Sequence, residues 1–191
     1  GSPSKERKDD LLAASYWISK RGLLMLWRRM LAGFVIGGAT FAGYLLLQRV
    51  SIREPIMLEP WPLANSSNSA AAVYLYLSFY FLILIPGFLP SERQFRRFLI
   101  ALALTGLVSL VVFLLVPSGV KREPEFQAGA SRVYLSLIDV DLPRNAFPSL
   151  HASVTTLAAI ISCIVLRDWF IRLLFWSWVG GVLWSTMATR Q

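Results

Sequence analysis

Hydrophobic positions along the chain fall into long unbroken blocks rather than alternating stripes. Met30–Gln48, Ala70–Pro90 and Phe98–Val116 contain no charged side chain, and each is long enough for a bilayer core, which takes about 20 apolar residues as helix. A charge near the centre of such a helix costs about 2.5 to 3.5 kcal/mol on insertion scales, so its absence from all three blocks is informative. Leu150–Leu166 and Leu173–Thr189 are shorter and are separated only by the polar corner Arg167–Trp169 and by Arg172. They predict an αα-hairpin of two further spans. A large soluble core would also bury such helices, but a chain of 191 residues lacks the outer shell to cover five of them. The pattern therefore predicts an all-α fold: a polytopic membrane helical bundle with five transmembrane helices.

Composition agrees, with 55% hydrophobic and 16% charged residues, a balance that soluble domains do not show. The net charge of +8 would suit nucleic acid only if it gathered on one soluble element with interleaved aromatics. Instead the cations flank the spans. Lys5, Arg7, Lys8, Lys20, Arg21, Arg28 and Arg29 precede the first; Arg93, Arg96 and Arg97 join the second to the third; Arg167 and Arg172 form the last corner. The positive-inside rule puts all three groups in the cytoplasm. This gives residues 1–29 as a cytoplasmic tail and 30–191 as the membrane domain. Within the tail, Lys8–Leu26 mixes Leu11, Leu12, Trp17 and Ile18 with charges, which suits an amphipathic helix lying on the interface; a solvated tail is the alternative. The opening GSPS reads as a tag remnant and takes no part in the fold.

Two longer segments, Arg49–Ser69 and Pro117–Ser149, are left on the extracytoplasmic side with most of the prolines. They also carry cations, among them Lys121, Arg122 and Arg144, and an outward basic cluster at a membrane surface suits an anion. Where the second of these segments enters the fourth span stands RNAFPSLHAS, 144–153, with the only histidine of the chain. Pro148 and Ser149 suit a helix start, proline because its missing N–H costs nothing in a first turn and serine because it caps free N–H groups. Such a start presents N–H groups and a positive dipole end to an anion. His151, in the first turn, could donate a proton to what is held there. The alternative is a capped helix start whose histidine is satisfied at the membrane interface. Asp139 and Asp141 form an acidic pair, but alternation through Ser131–Leu142 predicts a short amphipathic or extended lid with its acids in water, and hard cations want more oxygens; no metal or cofactor is assigned. Cys163 stands alone in a span and reads as packing. Gly33, Gly37, Gly38, Gly180 and Gly181 read as close-packing sites between helices.

Ala146-Phe147-Pro148-Ser149-Leu150-His151 resembles the second signature of the type-2 phosphatidic acid phosphatase superfamily, with Leu150 in place of the usual glycine, as in the inositol phosphorylceramide synthase-like branch. The resemblance implies a six-helix membrane core with a phosphate site on its extracytoplasmic face. It makes Ser149 and His151 catalytic, the histidine as acid for the leaving group, with backbone N–H groups around Leu150 on the phosphate. Lys121-Arg122-Glu123-Pro124 is similar to a compressed first signature, so Lys121 and Arg122 would hold phosphate, with Arg144 beside them. Solvated loop charges and a headgroup anchor are the alternatives. The preceding Pro117-Ser118-Gly119-Val120 mimics the second signature with valine at the histidine position and reads as a turn.

Ser185-Thr186-Met187-Ala188-Thr189-Arg190-Gln191 is similar to the lead-in to the third signature, whose nucleophilic histidine would come next. Thr186 stands where many relatives have arginine, and Arg190 could replace it on the phosphate. By this resemblance the chain stops short of the nucleophile, its orienting aspartate and the sixth span. The expectation is a lipid phosphatase or phosphotransferase using a phosphohistidine, with a membrane lipid phosphate as substrate and no nucleic acid. The alternative is a non-catalytic membrane protein that binds lipid headgroups, or a truncated, inactive family member.

Overall fold

The computed structural model describes residues 20–50, 53–59, 70–121, 130–142 and 144–189. Helix α1, Lys20–Arg49, is followed by the short strand β1, Ile56–Leu58. The second apolar block is broken into α2, Ala70–Leu77, α3, Phe79–Leu82, and a 3-10 turn, Ile85–Phe88. Next come α4, Glu92–Leu115, and strand β2, Ser118–Val120. Then follow α5, Arg132–Val140, α6, Leu150–Ser162, and α7, Trp169–Ala188. Three stretches, Gly22–Arg49, Ala70–Phe88 and Glu92–Leu115, are long and apolar enough to cross a membrane, while α6 is apolar but shorter.

Direction alternates between two ends. Helices α1 and α4 run the same way: Arg29 meets Glu92, Thr40 meets Gly106, and Tyr44 packs edge-on against Phe113 at 5.8 Å. Helix α7 runs against α2–α3, with Trp178 Nε1 donating to Ser78 Oγ at 2.8 Å and Gly181 facing Leu75. Helix α6 lies in the centre. One of its faces joins Phe79, Leu82, Phe175, Val179 and Val182 through Ala159. The other packs Leu157 and Ile161, with Val165 just past the helix end, on Leu89, Phe95, Phe98 and Leu102. The rim is apolar and open: Trp27, Phe34, Leu104, Val108, Trp169 and Leu173 are all more than half exposed, a belt larger than soluble monomers tolerate.

Four features depart from the sequence reading. The fold is not purely helical, because Ile56–Leu58 and Ser118–Val120 pair in parallel, so the segment expected to be a turn is a strand. Burial of Asp141 replaces the expected exposure, since its carboxylate turns in to α1 while Asp139 stays exposed. Pro148 precedes the cap rather than occupying the first turn of α6, and its bond to Phe147 is cis. Gly33, Gly37, Gly38 and Gly180 face open space among the described residues, and of the five expected close-packing glycines only Gly181 meets a neighbour, a Cβ there lying 3.2 Å from Leu75; a tighter approach is at Gly106, where a Cβ would lie 2.5 Å from Thr40 Oγ1. Of the stretch 8–26, the part from Lys20 is the first turns of α1, and the rest lies outside the described residues.

Candidate functional site

The loop that leads into α6 is held at three points. Ser118 Oγ accepts from Phe147 N–H at 2.8 Å and donates to Phe147 O at 3.1 Å, so strand β2 clamps the loop next to the motif. Gly119 forms an antiparallel bridge with Arg144. From α1, the Gln48 amide nitrogen lies 2.7 Å from Asp141 Oδ1, 3.1 Å from Leu142 O and 3.2 Å from Arg144 O. Tyr44 adds its hydroxyl to the same Asp141 oxygen at 2.5 Å. A buried carboxylate is tolerated only when donors surround it, and Tyr44 and Gln48 meet that need. Asn145 takes the left-handed conformation, φ 61°, which asparagine adopts more readily than most side chains.

Ser149 caps α6, accepting from Ala152 N–H at 3.2 Å. Its capping oxygen is engaged, while its own O–H is left to donate. The carbonyl of Ser149 accepts from Ser153 N–H and Ser153 Oγ–H. Leu150 and His151 are the first two residues of the helix, and N–H groups at these positions have no intrahelical acceptor. This is the arrangement that receives an anion.

His151 is gripped by α2 and α3. Its ring stacks on Tyr76 at 4.1 Å and 24°, and meets Phe79 at 4.0 Å and 55°. Tyr76 Oη lies 3.0 Å from Nδ1. The other nitrogen, Nε2, is buried and has no hydrogen-bond partner among the described residues. Leaving a buried polar group unpaired costs about 1–3 kcal/mol, which a ligand oxygen would recover. One turn further along the same face, Thr155 Oγ1 is also buried and has no hydrogen-bond partner among the described residues.

The remaining expected residues are placed unequally. Lys121 sits just past β2 and pairs with Glu59 at 2.6 Å, both exposed; pairs of this type add little stability. Arg144 Nη1 donates to Gln48 O at 3.3 Å, so this guanidinium also ties the loop to α1. Arg122 and Arg190 lie outside the described residues. The end of α7 reaches this end of the bundle: Thr189 is fully buried, and its carbonyl accepts from Tyr134 of α5 at 3.3 Å. Sequence reasoning missed Tyr76, Phe79, Gln48, Ser118 and Thr155. Thr155 could have been found from its i+4 spacing to His151; the others meet the motif across long stretches of chain and leave no local signal. No family model, curated protein or solved structure matches this chain.

Proposed function

We propose that the protein is an integral membrane lipid phosphatase or phosphotransferase that acts on a lipid phosphate at the extracytoplasmic face. One observation carries this reading: the only histidine of the chain is fixed beside a serine-capped helix start, with Nε2 buried and without a partner among the described residues, in a bundle with helices of membrane length. Phosphoryl transfer asks mainly for positioning and charge neutralisation. The helix start offers N–H groups, Ser149 offers a hydroxyl, and His151 offers an Nε2–H hydrogen bond to the charge that develops on the leaving oxygen, the proton itself coming from water. Arg144 and Lys121 supply positive charge at this end of the bundle, and a guanidinium suits bidentate phosphate binding. In this scheme five spans alternate, with the basic connections in the cytoplasm. His151, the one histidine of the 191 residues, serves as donor in this scheme, so the resemblance to the type-2 phosphatidic acid phosphatases asks for a second histidine as nucleophile. Water or an alcohol would then resolve the phosphoenzyme.

The test is phosphate release or headgroup transfer by the full-length protein from phosphatidate, isoprenyl pyrophosphate, sphingosine phosphate or a ceramide acceptor pair. His151→Ala should lower turnover by roughly 100- to 1,000-fold, the usual cost of removing a donor aimed at developing charge, and Ser149→Ala should lower it as well. Near-normal turnover in both variants would defeat the assignment and favour a headgroup-binding protein.

A further inference from the structure

Two aromatic side chains hold His151, but they do different things. Phe79 offers only a face, whereas Tyr76 combines a parallel stack at 4.1 Å with a hydroxyl 3.0 Å from Nδ1. The tautomer of a histidine is set by the hydrogen bond that its second nitrogen makes. A phenol is a good donor, and an unprotonated imidazole nitrogen is a good acceptor. With Tyr76 donating to Nδ1, the ring proton must sit on Nε2. The reverse arrangement would leave Nε2 as a bare acceptor, which a fully ionised phosphate has no proton to satisfy.

Side chains on a helix lean toward its N-terminal end. The second residue of α6 therefore carries its ring toward the capped start where the N–H groups of Leu150 and His151 open. Nε2 faces away from the Tyr76 hydroxyl by the geometry of the ring, and no described residue satisfies it. We propose that Tyr76 is a positioning residue: its hydroxyl donates to Nδ1 of His151 and holds the imidazole in the tautomer that presents Nε2–H to an anion at the start of α6. The ligand class, a phosphate monoester or diester oxygen, rests on the proposed function; the Tyr76–His151 arrangement does not.

The chain has one imidazole, so nitrogen NMR of the histidine-labelled 191-residue protein in lipid nanodiscs reads the tautomer without assignment. At a pH where the ring is neutral, Nε2 should carry the proton and Nδ1 should resonate as a hydrogen-bonded acceptor. Tyr76→Phe keeps the stacking ring and should move Nδ1 toward the position of an unbonded acceptor. A proton on Nδ1 in the parent protein, or an Nδ1 signal unmoved in Tyr76→Phe, would overturn the inference. The parent measurement needs no variant and so does not depend on how well Tyr76→Phe folds. In a second arm, dihexanoyl phosphatidate is titrated into both proteins. Nε2 should shift on binding, with affinity about tenfold weaker in Tyr76→Phe. Inorganic phosphate run in parallel tells whether the headgroup alone suffices. An Nε2 signal unmoved by either ligand, with the first arm intact, would count against the lipid-phosphate reading and leave the positioning of His151 by Tyr76 standing.

Discussion

Arg29 is 3% exposed although it lies in a membrane-length helix, and every part of its guanidinium is used. Nη1 donates to the carbonyls of Gly87 and Leu89 at 3.1 and 2.7 Å, Nε and Nη2 donate to Glu92 at 3.3 and 3.1 Å, and the plane lies 5.0 Å over Phe95. The carbonyls are freed by the turn at Pro86 and Gly87, so the charge replaces the backbone donors that a continuous helix would have supplied. Arg29→Ala should cost about 3 kcal/mol because it strands buried acceptors. Glu92→Ala should cost less than about 1 kcal/mol, because Glu92 is 60% exposed and water compensates it. Unfolding curves in micelles check the pair, and equal losses would show that the ion pair rather than the carbonyls matters. From sequence Arg29 is one more flanking cation, indistinguishable from Arg28, which is exposed. At the site, residue identity was legible where chemistry is local. Ser149 does cap α6 and His151 does stand in its first turn, because capping depends on neighbours a few residues apart. The grip of Tyr76 was illegible, since a tyrosine in an apolar block does not reveal which side chain 75 residues away it will meet.

Between elements, the parallel pair α1–α4 depends on a missing side chain. The helices pack tightly where Gly106 faces Thr40, whose Oγ1 and Cγ2 lie 2.5 and 2.8 Å from where a Cβ would stand. Threonine is stiff at χ1, and its hydroxyl is tied to Ile36 O at 3.0 Å, so it cannot swing aside cheaply. Gly106→Ala should destabilise by about 1–3 kcal/mol through overpacking, and adding Thr40→Ala should recover most of the loss. Two independent, additive losses would refute the close approach. Block length made the long helices legible, because it is a property of each segment alone. The partners were not: four of the five glycines singled out in the sequence face open space and only Gly181 meets a neighbour, whereas Gly106, which nothing in its run marks out, makes the tightest approach. The interruption of the second block at Ser78 was hidden for a related reason. Ser78 Oγ donates to Leu75 O at 2.6 Å and accepts from Trp178, so the break is supported by α7. The pairing of β1 with β2 likewise follows from α1 and α4 ending side by side, which no local pattern announces.

At the scale of the molecule, two polar assemblies mark opposite ends of the bundle. Arg29, Glu92 and the carbonyls of Gly87 and Leu89 lie at one end. Tyr44, Gln48, Asp141, Ser118 and the loop into α6 lie at the other. Val165, close to the Arg167 corner, packs beside Leu89 and Phe95, so the exposed Arg28, Arg93, Arg96, Arg97 and Arg167 collect at the first end. That charge asymmetry predicts a cytoplasmic location for it and an outward location for His151. With Cys163, the only native cysteine, changed to serine, single thiols at Ala130→Cys and Arg93→Cys can be probed with a membrane-impermeant maleimide. The thiol at 130 should react on intact cells, and the thiol at 93 only after permeabilisation. Losing one of several cations at that end leaves the asymmetry in place, so Arg93→Cys should not itself invert the protein. The opposite pattern would turn the bundle over and move the proposed site to the cytoplasmic leaflet, where its lipid substrates would differ. Labelling of both thiols from the same side would contradict the separation of the two ends, because Ala130 leads into α5 while Arg93 lies in the first turn of α4 beside Glu92.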